Sequence, residues 1–497
     1  MSTFLNSVTQ PEAPTIGAAK PLPRKTSVRW IAGLAVVTLA ALALFLELTS
    51  DQAISIMLAG GAFFLIMYFA VATAPSVEAR SRNLIFACWW VLLGSEAVFS
   101  YVTDDAEGKG FSSGAISEAM LWFFVGIGLL LYTFRHTEYL KTLFKGSYKW
   151  VTWFGIVCFL SCAYAEQPSF SLAWIVKLFL AIALLAACNY EIKNTDDLRS
   201  FLVVTQWALV FMIALPMIRL VSNPDTLATG RLYDVGTAPT VLSVDAGLVV
   251  LYSLTLSRPG LKNASRNLFT LLGMVVMLLA AGKTGILGCI FGALAFFMLR
   301  GKFKSAARFL LILMAVGTIL VLFTPLGTYL KFYVGSGQAG SVTGRSDVWA
   351  AGWQLIKAKI ILGRGFMSSR FISYKINVNW MPNHLHNGFL EVMYNNGLIG
   401  LVVIVMMLGW TARNMFAVMR AVGTDSPLHQ MAVGCFAIYL DIFVNGMVSR
   451  TFGSRPDGTF MILFALVFVS DRLLAAAKKK VEVKSTPAWQ MATASAR

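Results

Sequence analysis

The sequence predicts an all-α polytopic membrane protein of about 12–14 transmembrane helices with a long extracytoplasmic loop. Three observations predict it. Hydrophobic residues make up 57% of the chain and charged residues 13%, about half the charge density of a soluble globular protein. Apolar runs of about sixteen to twenty-two residues recur from end to end, each long enough to cross the hydrocarbon core as a helix. The connections between runs alternate between cation-rich and cation-poor. Backbone polar groups in lipid must be satisfied internally, so runs of this kind are helices.

Residues 1–28, rich in Pro, Ser, Thr and Ala, read as a disordered cytoplasmic tail, with Arg24, Lys25 and Arg29 at its end. The span that follows, 31–48, is longer than a signal-peptide core and no small-residue cleavage site follows it, so it is read as retained. Residues 29–324 form a helical scaffold, with further spans at 53–73, 84–102, 116–134, 150–165, 170–189, 201–220, 237–257, 268–281, 285–299 and 309–324. Residues 325–398 form a loop, and 399–471 hold three last spans at 399–412, 429–448 and 459–471. Residues 472–497 are a second cytoplasmic tail containing Lys478, Lys479 and Lys480.

Charge orients these spans. The connections at 74–83, 135–149, 258–267 and 300–308 are basic, while those at 49–52, 103–115 and 165–169 are acidic or poor in cations. Both termini are then cytoplasmic, and the formal charge of +17 reports topology rather than nucleic-acid binding. All six cysteines fall inside spans, which argues against disulfides. Cys158 and Cys162 read as small helix-face residues, not as a metal pair.

The loop from 325 to 385 lies outside, in the periplasm of a Gram-negative cell, and there it breaks the charge rule. Lys331, Arg345, Lys357, Lys359, Arg364, Arg370 and Lys375 face a single acid, Asp347. Long segments translocate despite such charge. An exported basic loop suits an anionic ligand; the plainer alternatives are a solvated surface or contact with anionic headgroups. Glu47, Glu96, Lys177, Asp245 and Asp441 lie in the outer halves of their spans, which suggests a polar cavity open to the outside. Structural pairing, Lys177 with an acid for instance, is the other reading.

Four elements share that outer side: Gly230-Arg231-Leu232-Tyr233, Gly282-Lys283-Thr284-Gly285, Gly344-Arg345-Ser346-Asp347-Val348-Trp349 with Gly363-Arg364-Gly365-Phe366, and His384-Leu385-His386-Asn387. Arginine can hold a phosphate in a planar fork, and an adjacent glycine lets the ligand approach. Histidine can take the proton of an attacking hydroxyl. Each motif alone is weak. Together they point to group transfer from a phosphate-activated donor.

The pattern G-R-x-x-x-W, then G-x-G-F, H-N-x-x-L-E and G-L-x-G over residues 344–400 resembles the superfamily of O-antigen ligases and of O-antigen and exopolysaccharide polymerases. The resemblance implies a GT-C-like fold and an inner-membrane glycosyltransferase working without metal or cofactor. It also implies a glycan donor on undecaprenyl pyrophosphate. By the motif, Arg231, Arg345 and His386 are the expected catalytic residues: the arginines hold the pyrophosphate and His386 is the general base. Lys283, Arg364, His384, Asn387, Glu391 and Asp245 are expected to bind substrate. Many members have Ser-Arg-Gly where this chain has Lys283-Thr284-Gly285, so the fork is lost at that corner.

The acceptor separates two activities: a lipid-linked repeat unit makes a polysaccharide polymerase, a lipid A-core sugar makes a ligase. The wording of residues 343–349 favours the exopolysaccharide polymerases. Membrane lipid and other polysaccharide assembly proteins are the remaining expected partners. A flippase for the same lipid-linked sugar is the rival from another class. It needs polar groups through both halves of the bilayer, and the charges here stop in the outer half.

Overall fold

The computed structural model describes residues 61–99 apart from 62, 64, 73 and 75, then 113–222, 227, 230–232, 238–257, 264–335, 345–376, 384–453 and 455–485. The expected span at 31–48, Glu47, Tyr233 and Gly344 lie outside these residues. The described chain is all helical. Its helices are α1 (Val77–Phe99), α2 (Ser113–Arg135), α3 (Lys149–Ser161), α4 (Pro168–Glu191), α5 (Thr195–Ser222), α6 (Pro239–Thr255) and α7 (Ala264–Ala280). There follow α8 (Lys283–Met298), α9 (Phe303–Phe323), α10 (Leu326–Gly335), α11 (Arg345–Lys357), α12 (Gly388–Ala421), α13 (Pro427–Val448) and α14 (Gly458–Ser485).

Among the described residues, seven helices are long and apolar enough to cross a membrane: α2, α4, α5, α9, α12, α13 and α14. Three shorter apolar helices, α6, α7 and α8, stand among them. Helices α4, α6 and α13 each open on a proline, whose fixed φ and missing N–H suit the first turn.

The packing explains the pattern of residues. Residues Phe460 to Val469 of α14 are buried on every side, so this helix is apolar all round and forms the central post. Helices α4, α12 and α13 pack against it. Helix α8 threads between α6 and α13 on a stripe of glycines. A Cβ on Gly288 would lie 2.0 Å from Asp441 Oδ1, and one on Gly292 would lie 2.7 Å from the Ala437 carbonyl. Small residues are what allow backbones this close in a bilayer. Helix α9, with Leu311, Ile312, Met314 and Ile319 exposed, faces outward.

Some boundaries differ from those expected. The span predicted at 150–165 is the 13-residue α3, because Cys162–Tyr164 tightens into a 3-10 turn and Ala165 turns extended. There Tyr164 donates to the Leu362 carbonyl, tying the turn to the long loop at 325–398. Helix α14 continues past residue 471 through Lys478, Lys479 and Lys480 to Ser485, so the C-terminal tail begins as helix.

Lys177 resolves as a pair. Its ammonium, fully buried, bonds Glu96 and lies 2.9 Å from Glu118, and it sits 4.6 Å over the Trp122 ring. The three charges tie α1, α2 and α4 together. A buried charge set survives only when its members are paired.

Helix α12 breaks at Gly397, where φ is 64° and ψ −160°. A Cβ there would lie 2.1 Å from the Ile361 carbonyl, so only glycine fits. Below the break, Leu398 N donates to the Ile360 carbonyl at 2.8 Å. Ile360, Ile361 and Leu362 are exposed beside exposed Leu398 and Ile399, one apolar surface joining the long loop to the exposed side of α12.

Candidate active site

The two motifs of the long loop, at 345–349 and 384–387, meet. Trp349 Nε1 donates to the Leu385 carbonyl at 2.8 Å, and Gly352 lets the Leu385 side chain lie against α11, where a Cβ would be 2.2 Å from Leu385 Cδ2. Leu385 is buried with Val348, Ile356, Ile372 and Tyr394 in a small core of the loop's own. Asn387 caps α12: its Oδ1 accepts from Phe389 N and Leu390 N, and its Nδ2 donates to the Met447 carbonyl. Glu391 is fully buried, with Oε1 accepting from Leu385 N at 2.6 Å. Between these anchors the turn at 384–387 has little freedom.

His384 and His386 flank Leu385, and their ring centroids lie 3.9 Å apart with the planes tilted by 46°. His386 has φ +52°, a left-handed conformation that costs a residue with a Cβ roughly 1–3 kcal/mol and that clusters at functional sites. Burial holds its imidazole down to about 3, helped by the Arg345 and Arg450 guanidinium groups. Burial also pushes His384 well below the usual range, and there Arg450, His386, Arg370 and Arg455 add to it. At neutral pH both rings are uncharged and can accept a proton.

Arg345 opens α11 and donates to the Val448 carbonyl at 2.6 Å, which fixes it against the end of α13. Arg370 is buried nearby, in the 3-10 turn Ser368–Tyr374. Asn395 holds this turn in place: its Oδ1 accepts from Ser369 N, and its Nδ2 donates to Ser369 Oγ and the Gly453 carbonyl. Four arginines, Arg345, Arg370, Arg450 and Arg455, thus surround two neutral histidines. Such a shell suits a polyanion beside a base. Arg364 stands aside from it, donating to the Leu355 carbonyl at 3.2 Å and packing over Tyr394. Lys375 is taken by an ion pair with Glu166.

Arg450 and Arg455 did not figure among the expected site residues. They sit between α13 and α14, in a connection that the charge alternation predicts to lie outside. Two arginines in so short an outer connection were a readable signal.

Arg231 and Lys283 occupy a second corner. Arg231 Nε donates to the Ala280 carbonyl at 3.0 Å, and its guanidinium lies 5.4 Å over the Tyr329 ring of α10. Ala281, with φ +48°, turns the chain from α7 into Gly282 and Lys283, which is exposed at the start of α8. The contacts of Arg231 therefore run to α7 and α10, not to the histidine turn. Asp245 on α6, fully buried, accepts from Thr459 Oγ1 at 3.4 Å and feels the charge of Asp457, two residues from Arg455. Burial raises Asp457 itself to about 6. Among the described residues no group of three or more His, Cys, Asp or Glu stands close enough to hold a metal ion.

Residues 268–405 match the family model described as O-antigen ligase. The chain carries an O-antigen ligase domain. That domain runs from α7 across α11 and the histidine turn into α12, and so contains Lys283, Arg345, Arg364, His384, His386, Asn387 and Glu391. Arg231, Asp245, Arg450 and Arg455 lie outside the matched residues and join the O-antigen ligase domain through packing alone. No curated protein matches the chain. With its apolar helices, the O-antigen ligase domain makes this a bacterial membrane protein.

Proposed function

We propose that the protein is a metal-independent glycosyltransferase of the bacterial inner membrane, acting on the outer face. In this reading both termini are cytoplasmic and the active site is periplasmic. The donor is a glycan on undecaprenyl pyrophosphate, and the acceptor is a hydroxyl of a lipid-linked repeat unit, which makes the enzyme a polysaccharide polymerase. The observation that carries the reading is a neutral imidazole, His386, held in a left-handed turn inside a shell of arginines.

The chemistry follows from that arrangement. Arg345 and Arg450 bind the pyrophosphate, with Arg231 and Lys283 from the second corner. The acceptor oxygen attacks the anomeric carbon as the bond from that carbon to the phosphate oxygen breaks. Undecaprenyl pyrophosphate leaves with the electron pair, and the arginines stabilise its growing charge. The acceptor's proton goes to His386. In this reading Asp245 and the other outer-half acids bind sugar hydroxyls.

A strain lacking the gene should accumulate single repeat units on the lipid carrier and lose surface glycan of high mass. Transfer by the purified protein should survive excess chelator, and a strict need for magnesium or manganese would reassign the arginines. The family description favours a second reading, transfer of finished glycan to lipid A-core by a ligase. Long lipid-linked polymer in the deletion strain, unattached to core, would establish that reading and remove the polymerase.

The orientation has its own test. All six native cysteines are buried, so a single cysteine replacing exposed Lys359 gives a clean label. In intact cells with a permeabilised outer membrane it should react with an impermeant maleimide. Reaction only after the inner membrane is broken would put the site on the wrong side.

A further inference from the structure

At the end of the helix bundle opposite the histidine turn lies a cavity of about 1060 Å³. It is formed where α4 passes into α5, where α6 ends, where α12 passes into α13, and along the second half of α14. Its volume is at the upper end of ligand pockets, which run to about 1,000 Å³. None of the chemistry assigned to the outer face uses it.

The lining is of two kinds. Lys193, Arg199, Arg472, Lys479 and Lys480 bring five cations against two acids, Asp196 and Asp425. Leu198, Leu428, Met431, Ala475 and Ala476 supply apolar walls between them. Several of the polar groups are already positioned. Arg472 Nε donates to Asn189 Oδ1 at 2.7 Å, and Lys480 Nζ to Ser426 Oγ at 3.0 Å. Lys193 lies over the Tyr190 ring. A basic mouth above apolar walls, at the rim of a membrane bundle, matches a phosphate carried on acyl chains. A soluble anion would use the cations and leave the walls unexplained.

We propose that this cavity binds an anionic diacyl phospholipid, its phosphate at the five cations and the upper part of its chains along Leu198, Leu428 and Met431. The site ties the loops at 192–194 and 422–426 to α14. It is separate from glycan transfer and stands or falls without it.

The test is native mass spectrometry of the full-length protein released from nanodiscs of equal parts phosphatidylglycerol and phosphatidylethanolamine. The wild type should retain phosphatidylglycerol in excess, and the excess should shrink as salt is raised. Exposed lysines can be changed without disturbing the fold, so the variant is Lys193→Gln/Lys479→Gln/Lys480→Gln. Each cation near a membrane surface is worth roughly a fivefold preference, so the triple variant should lose most of the excess. A control at the opposite end, Lys357→Gln/Lys359→Gln, should keep it. Equal retention of the two lipids by the wild type overturns the proposal, and so does an excess unchanged in the triple variant. Displacement of the retained lipid by millimolar inorganic phosphate would mean a site for soluble phosphate, which also overturns it.

Discussion

Replacing His386 with alanine should cost about a hundred- to ten-thousandfold in glycan transfer while donor affinity stays nearly unchanged. The imidazole is neutral at working pH because burial and the neighbouring Arg345 and Arg450 oppose its charge. Donor pyrophosphate would offset those two cations and move the imidazole back up, so the base strengthens when the donor is in place. The sign is testable. In the free enzyme the group sits at about 3, below the ordinary value near 6.5, so it stays unprotonated as pH falls through the usual histidine range. The profile of kcat/KM should show no inflection near 6.5, while that of kcat should show its acid limb at higher pH. Arg345→Ala and Arg231→Ala should weaken donor binding as well as rate, with lysine restoring only part of it. A His386→Ala protein that transfers at the wild-type rate would remove the proposed base.

Lys177→Met should be the most destabilising single change in the scaffold. It removes the cation that Glu96 and Glu118 share and leaves two buried carboxylates facing each other. Breaking a buried ion set in this way costs about 3–5 kcal/mol. The triple variant Lys177→Met/Glu96→Gln/Glu118→Gln removes every charge at once and should recover most of the loss. Thermal unfolding in detergent separates the cases: a single variant that melts with the wild type would mean the three groups are solvated rather than paired.

Much of this architecture could be read from the sequence. Helices and their turns follow from apolar runs and prolines, and even the tight Gly282-Lys283 turn between α7 and α8 came out as expected. The juxtaposition of the GR motif with the histidine pair was also legible, because a resemblance links them. What was not legible depends on packing. No periodicity says that Trp349 reaches the Leu385 carbonyl, or that Asn395 bridges two outer loops. Lys177 could have lined a cavity; only the fold brings Glu118 from another helix to meet it. Arg450 and Arg455 differ: the long basic loop carries the larger charge surplus, yet the short connection between α13 and α14 holds two arginines and so carries the same signal.

The break at Gly397 also sets a height. Nine residues, Gly388 to Asn396, separate it from the histidine turn, at most about 13 Å of helix. The exposed apolar Ile360–Leu362 surface beside the break is where hydrocarbon is expected to begin. Each headgroup layer is about 5–7 Å deep, so the turn stands at most about two layers above it. Drawing an isoprenoid carrier upward out of lipid would cost about 0.8 kcal/mol for every methylene exposed. On the proposed function, a site at this level would meet the donor pyrophosphate near its resting depth: the carrier would arrive by drifting sideways, and the sugar chain would be left free to rise into water.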